Sequence, residues 1–231
     1  MKKLVLFDID GTLLWSDGAG RAAIRQALID EMGTAGPIDD LAFAGKTDPQ
    51  IVRELLAAAD HPNADSNSHA ERVCRRYAEV LEHELQAPQR SMRVYDGVPE
   101  LLAQLGNRPD AVIGLLTGNI EVGAVLKLRA AGIDPEQFQI GAYGSDAVNR
   151  SDLPLIAAER AAPLFGHVPH GEEVVILGDT PSDVTCGRGI GARPIAVATG
   201  PFSTQELQSF EPHAVFPDFS DTTAVIAAIF A

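Results

Sequence analysis

An α/β fold is predicted for this chain: a three-layer, Rossmann-like core with a mostly parallel sheet, plus an inserted helical cap. Three features of the 231-residue sequence carry that expectation. Four short apolar runs lack the polar alternation of a half-exposed strand, so each reads as a strand buried on both faces. Helical patterns alternate with them, as parallel crossovers require. One long interval between the first two runs is helical throughout, far longer than a simple crossover needs.

Taken in order, Leu4-Val5-Leu6-Phe7 is the first strand and stops at Asp8-Ile9-Asp10-Gly11-Thr12. Residues 15–90 then show three apolar stripes at helical spacing. These are Ile24, Ala27, Leu28 and Met32; Ile51, Val52, Leu55, Leu56 and Ala59, behind Asp48 and Pro49; and Val73, Tyr77, Leu81 and Leu85. Residues 61–68 are polar and form a loop within this bundle, and hinges fall near 14–20 and 86–92. The expected division is a core of residues 1–14 and 91–231 and a cap of residues 15–90. Beyond the cap, the turn Asp96-Gly97-Val98-Pro99 leads into a helix carrying Leu101, Leu102 and Leu105. A strand over 111–116 ends at Thr117-Gly118-Asn119, followed by a helix with Val122, Val125, Leu126 and Leu128. Leu153, Ile156 and Ala157 mark another helix. The strand Val174-Val175-Ile176-Leu177 ends at Gly178-Asp179-Thr180-Pro181-Ser182-Asp183, and a last strand covers 195–198 after Pro194. In such sheets ligands bind at the carboxyl ends of the strands, where all three polar motifs lie.

Composition narrows the partners. A formal charge of −14 and no basic stripe exclude nucleic acid as a natural partner. A small anionic substrate would need a divalent cation and a few focused Lys or Arg residues, because the overall field repels it. Cys74 and Cys186 are too few for a disulfide framework, which points to a reducing, cytoplasmic compartment. Asp8 and Asp10 interrupt the N-terminal apolar run too early for a signal sequence, and no run approaches the roughly 20 residues that span a bilayer.

The chemistry rests on the three motifs. A carboxylate at Asp8 is a competent nucleophile toward phosphorus once positive charge shields the phosphate, and Asp10 can manage the leaving group's proton. An EF-hand loop is ruled out, because Leu13 and Ala19 stand where glycine and glutamate would be needed. Thr117, Gly118 and Asn119 offer a hydroxyl and amides where a helix begins, a place suited to phosphate oxygens. Asp179 and Asp183 flank a strand-to-helix turn, with Thr180 able to cap and Pro181 suited to the first helical position. Asp8, Asp179, Asp183 and the Asp10 main-chain carbonyl, with water, would make an all-oxygen shell for Mg2+. Arg150 is expected to meet the remaining phosphate charge, whereas Lys127 and Arg129 read as surface charges. In the cap, Gly45-Lys46-Thr47 precedes the second helix and offers a turn with one ammonium for a substrate anion. Trp15 either lines the pocket or packs under the hinge, and packing is the expectation.

These four motifs in this order resemble the haloacid dehalogenase superfamily, on its phosphatase side, over essentially the whole chain. The resemblance implies that Asp8 forms an aspartyl-phosphate and that Asp10 acts as acid and then base. It implies that Thr117 binds phosphate, that Arg150 fills the basic third motif, and that Asp179 and Asp183 bind magnesium. It also implies a helical cap between the first two motifs. The expected activity is a magnesium-dependent phosphomonoesterase acting on a small phosphorylated metabolite; phosphoglycolate, a sugar phosphate and a nucleoside monophosphate all fit. Two other chemistries fit the same fold: carbon–phosphorus hydrolysis through a Schiff base at Lys46, as in the phosphonoacetaldehyde branch, and phosphosugar mutation. A non-catalytic regulatory or binding protein is the alternative from a different class.

Overall fold

The computed structural model describes the whole chain, Met1–Ala231. Six strands form one sheet: β1 (Lys3–Phe7), β4 (Ala111–Thr117), β5 (Ile140–Tyr143), β6 (Val174–Gly178), β7 (Arg193–Val197) and β8 (Ala214–Phe216). Their order is β5-β4-β1-β6-β7-β8, and every neighbouring pair is parallel. A two-stranded antiparallel ribbon, β2 (Leu14–Trp15) with β3 (Arg93–Val94), stands apart from it.

The unbroken apolar runs are explained by burial on both faces. Val5, Phe7, Ile113, Leu115, Val175 and Leu177 face one layer, built by α4 (Val98–Gly106), α5 (Glu121–Ala130) and α9 (Thr222–Phe230). Leu4, Leu6, Val112, Leu116, Val174 and Ile176 face the other, where α6 (Leu153–Phe165) contributes Leu153, Ala157 and Ala161. Two short helices, α7 (Pro181–Cys186) and α8 (Thr204–Gln208), complete the core.

Between β2 and β3 the chain is helical: α1 (Ala19–Met32), α2 (Asp48–Ala58) and α3 (Asn67–Gln86). The three stripes read from the sequence converge on one apolar cluster, except for Ala59, which caps α2 outside it; Ile38 and Ile120 join the cluster, which is separate from the two flanking the sheet. This inserted helical region is the cap. Its α2 is fixed locally by Thr47, whose hydroxyl accepts the Gln50 N–H at 3.2 Å, with proline in the first turn. No helix is long and apolar enough to cross a membrane.

Three strands of the sheet depart from expectation. β5 and β8 lie at the sheet's two edges and were not foreseen, and the last central strand runs Arg193–Val197, with Pro194 inside it. The β2–β3 ribbon, two residues on each side, was not foreseen either and ties the two connections into the cap together.

Candidate active site

β1 is flanked by β4 and β6, so the three polar motifs emerge side by side from adjacent strand ends. Asp8 follows β1, and its N–H donates to the Leu177 carbonyl of β6 at 3.0 Å. Thr117 ends β4, and Asp179 follows Gly178 at the end of β6. A cavity of about 670 Å³ opens over these ends, its walls shared by core and cap.

Asp8, Asp179 and Asp183 each offer a carboxylate oxygen within 4.8 Å of the others, all buried. Arg150 is the cation among them. Its Nη2 lies 3.0 Å from Asp8 Oδ1, pairs with Asp183 Oδ1, and donates to the Leu116 carbonyl at 3.3 Å. The other Asp183 oxygen accepts the Thr180 N–H at 3.0 Å and hydroxyl at 2.6 Å, closing a capping box on α7. Asp179 Oδ1 accepts the Thr12 hydroxyl at 2.9 Å. Arg150 Nε is buried and has no hydrogen-bond partner in the protein.

One guanidinium does not balance three buried carboxylates. Burial pushes Asp8 up to about 6 in spite of Arg150. Burial, then the charges of Asp183 and Asp8, holds Asp179 well above the ordinary carboxylate range. A hard cation with oxygen ligands is the natural complement of such a set. The backbone around it leaves space: a Cβ on Gly200 would stand 1.8 Å from Asp179 Oδ2, and one on Gly11, at φ +85°, 2.3 Å from the same atom. The donor set and this glycine cradle fit magnesium.

In thermal melts at pH 7.5, magnesium is therefore expected to raise the unfolding midpoint. Binding at about 100 times the dissociation constant adds roughly 2.7 kcal/mol. Chelation should reverse the rise and Asp179→Asn should flatten it. A midpoint indifferent to magnesium in the unsubstituted protein would remove the metal assignment.

The Asp10 carboxylate stands apart from this cluster. Its Oδ2 lies 2.6 Å from Lys127 Nζ and accepts Asn119 Nδ2 at 2.8 Å. The reading of Lys127 as a surface charge is corrected here: it is 4% exposed and faces the cavity. Asn119 links the parts, accepting Lys127 Nζ at 2.7 Å on Oδ1 and donating through Nδ2 to Thr117 Oγ1 at 2.8 Å. Thr117 accepts there, leaving its own hydroxyl proton to donate.

Gly45 and Lys46 line the cavity from the cap, and Lys46 Nζ is bound to the Glu54 carboxylate. Thr47 does not line it. Fully buried, it donates its hydroxyl to the Val148 carbonyl of the core at 2.6 Å. Trp15 is also corrected: it is 46% exposed and lines the cavity, where packing under the hinge was expected. Arg21, Phe43, Arg93 and Tyr95, which no sequence motif singled out, join the lining, as does Tyr77 of the third cap stripe.

The cap sits directly on the phosphate-motif loop. Asp48 N–H donates to the Gly118 carbonyl at 2.8 Å, and Asp48 Oδ2 accepts the Ile120 N–H at 2.9 Å. Burial pushes Asp48 up to about 6, opposed by nearby Lys127 and by that N–H. A Cβ on Gly118 would meet Lys46 O at 2.0 Å and Thr47 Cα at 3.0 Å, so this seat requires glycine. Gly118→Val should hold the cap off the core and lower kcat/KM by about 10²-fold, the cost of roughly ångström-scale misplacement. Unchanged kcat/KM in a folded variant would mean that cap seating does not govern turnover.

The family model that matches residues 5–188 is that of the haloacid dehalogenase-like hydrolases. Among curated relatives, a phosphoglycolate phosphatase of Rhodospirillum rubrum is 28% identical over 95% of this chain and 89% of its own length. The pyrophosphatase PpaX of Listeria innocua is 25% identical over 96% of this chain and 95% of its own. Among solved structures, a hydrolase from Pseudomonas syringae superposes with a TM-score of 0.72 at 22% identity, covering 98% of both chains.

Proposed function

Because the chain belongs to the haloacid dehalogenase-like hydrolases, on their phosphatase side, we propose that it hydrolyses a small phosphate monoester with magnesium, through a phosphoryl group carried on Asp8. The observation that carries this reading is the meeting of Asp8, Asp10, Thr117, Arg150 and Asp179 in the lining of one cavity, with Asp8 and Asp179 in a cluster of buried carboxylates.

In the proposed reaction an Asp8 carboxylate oxygen attacks phosphorus in line. The new oxygen–phosphorus bond forms as the ester bond breaks, and the Asp10 carboxyl gives its proton to the departing alkoxide. Water then attacks the phosphorus on Asp8, Asp10 takes its proton, and phosphate leaves with the Asp8 carboxylate restored. Thr117 and Arg150, which both line the cavity, donate to the phosphate oxygens. Magnesium held by Asp8, Asp179 and the Asp10 main-chain carbonyl, with Asp183 behind them, would supply further positive charge against those oxygens.

The cap restricts the ester to a small molecule, and Arg21 and Arg93 in the lining favour one whose far end is anionic. Two relatives named for different phosphate compounds, phosphoglycolate and pyrophosphate, leave the metabolite to be found by assay. The carbon–phosphorus reading loses support, since Lys46 would have to leave Glu54 before its nitrogen attacked a carbonyl. A panel of phosphorylated metabolites, scored by phosphate release with and without magnesium, tests the proposal. Isomer exchange without net phosphate would point to a mutase, and silence across the panel and with aryl phosphates to a binding protein.

A further inference from the structure

We propose that Lys127 is a positioning residue for Asp10, reserving Asp10 Oδ2 so that the proton exchanged with substrate and water is carried on Oδ1; this rests on the acid–base role proposed above.

The geometry around the carboxylate is asymmetric. Oδ2 receives two N–H donors, Lys127 Nζ at 2.6 Å and Asn119 Nδ2 at 2.8 Å. Oδ1 has only the Ser16 hydroxyl at 3.5 Å, beyond the usual length of an O–H···O bond. The donors on Oδ2 cannot reverse. An ammonium only donates, so it must meet the Asn119 carbonyl oxygen, which it does at 2.7 Å, and that turns the Asn119 amide toward Asp10 and Thr117. A proton on Oδ2 would have to displace one of these contacts. A proton on Oδ1 displaces nothing, and the Asp10 side chain, 36% exposed, opens onto the cavity.

Lys127 is held for this task from several sides. It is almost fully buried on α5, close to the cap's Asp48, and Gly20 on α1 lacks the Cβ that would stand 3.3 Å from Nζ. A lysine chain placed so, with one oxygen of Asp10 as its only carboxylate partner within ion-pair distance, fixes the orientation of that carboxyl. It touches neither phosphorus nor the leaving oxygen in the proposed reaction.

The test compares phenyl phosphate with 4-nitrophenyl phosphate, alike in shape but differing in how much the leaving oxygen needs a proton. The quantity read is kcat/KM, which reports steps up to loss of the alcohol. Lys127→Met should lower kcat/KM for phenyl phosphate at least about tenfold more than for 4-nitrophenyl phosphate, the signature of impaired proton delivery. Arg129→Met, an exposed cation on the same helix, should leave the ratio unmoved. If Lys127→Met does not fold, Lys127→Met/Asp48→Asn, which removes one cation and one neighbouring anion, carries the same measurement. Equal losses on both esters, or no loss, overturn the assignment, and so does failure of both variants to fold, which would make Lys127 a folding residue. If the unsubstituted protein hydrolyses neither ester, the proposed reaction fails and the inference with it; an active protein with an unmoved ratio rejects Lys127 alone.

Discussion

Asp8→Asn should lower turnover of any phosphate ester the protein accepts by on the order of 10⁴-fold or more, the scale seen when a covalent nucleophile is removed. An amide is isosteric with the carboxylate but has no charge to attack phosphorus. The fold should survive, because Arg150 keeps its pair with Asp183 and its bond to the Leu116 carbonyl. Metal-free stability should even improve. Burial raises the folded-state Asp8 to about 6 from an ordinary value of 3.8. Such a group contributes stability that is complete below the unfolded value and lost as pH rises through the folded one. The metal-free protein is therefore expected to melt lower at pH 7.5 than at pH 5, and Asp8→Asn should weaken that dependence. Hydrolysis assays and thermal melts across this range check both halves. A variant with near-normal turnover would reject Asp8 as nucleophile, whatever its melting behaviour.

Much of this site was legible because two periodicities are hard to disguise. Strands buried on both faces, such as Leu4-Val5-Leu6-Phe7 and Val174-Val175-Ile176-Leu177, must be apolar throughout, so the polar residues that end them stand out. Parallel packing then brings Asp8, Thr117 and Asp179 together once the strand order makes β4, β1 and β6 neighbours. The cap was legible from its three stripes, which share one core.

What the sequence hid has equally physical causes. β5 and β8 are edge strands of four and three residues, partly exposed, and carry no run long enough to separate from loop. Lys127 was misread because Lys and Arg usually solvate, and α5 has no clean polar face: Val122 is 56% exposed while Lys127 is buried. Its partners, the Asp10 carboxylate 117 residues earlier and the Asn119 carbonyl, explain its position. Trp15 lies on a ribbon of two residues per strand, which no periodicity reveals, and the cavity it lines exists only once core and cap are assembled.

Arg150→Met is expected to have the largest effect on stability. Arg150 is 7% exposed, and its guanidinium is the only cation within ion-pair distance of Asp8 and Asp183. Methionine fills much of the same volume but leaves buried carboxylates facing one another, and breaking a buried pair on one side costs about 3–5 kcal/mol. For a chain of this size that lowers the melting midpoint by roughly 6–20 °C. Magnesium should restore more stability to this variant than to the unsubstituted protein, because a divalent ion then supplies the only compensating charge. Catalysis should not follow stability back. With magnesium saturating, kcat should remain down by roughly 10²–10³, the effect of losing one preorganised donor to a developing oxyanion. Arg150→Lys separates the two roles: its ammonium can hold the acids apart, but it lacks the planar fork of donors that matches a phosphate. Stability should recover more than kcat in that variant. Equal recovery of both would make Arg150 a charge balance for the acidic cluster and remove it from the phosphate's shell.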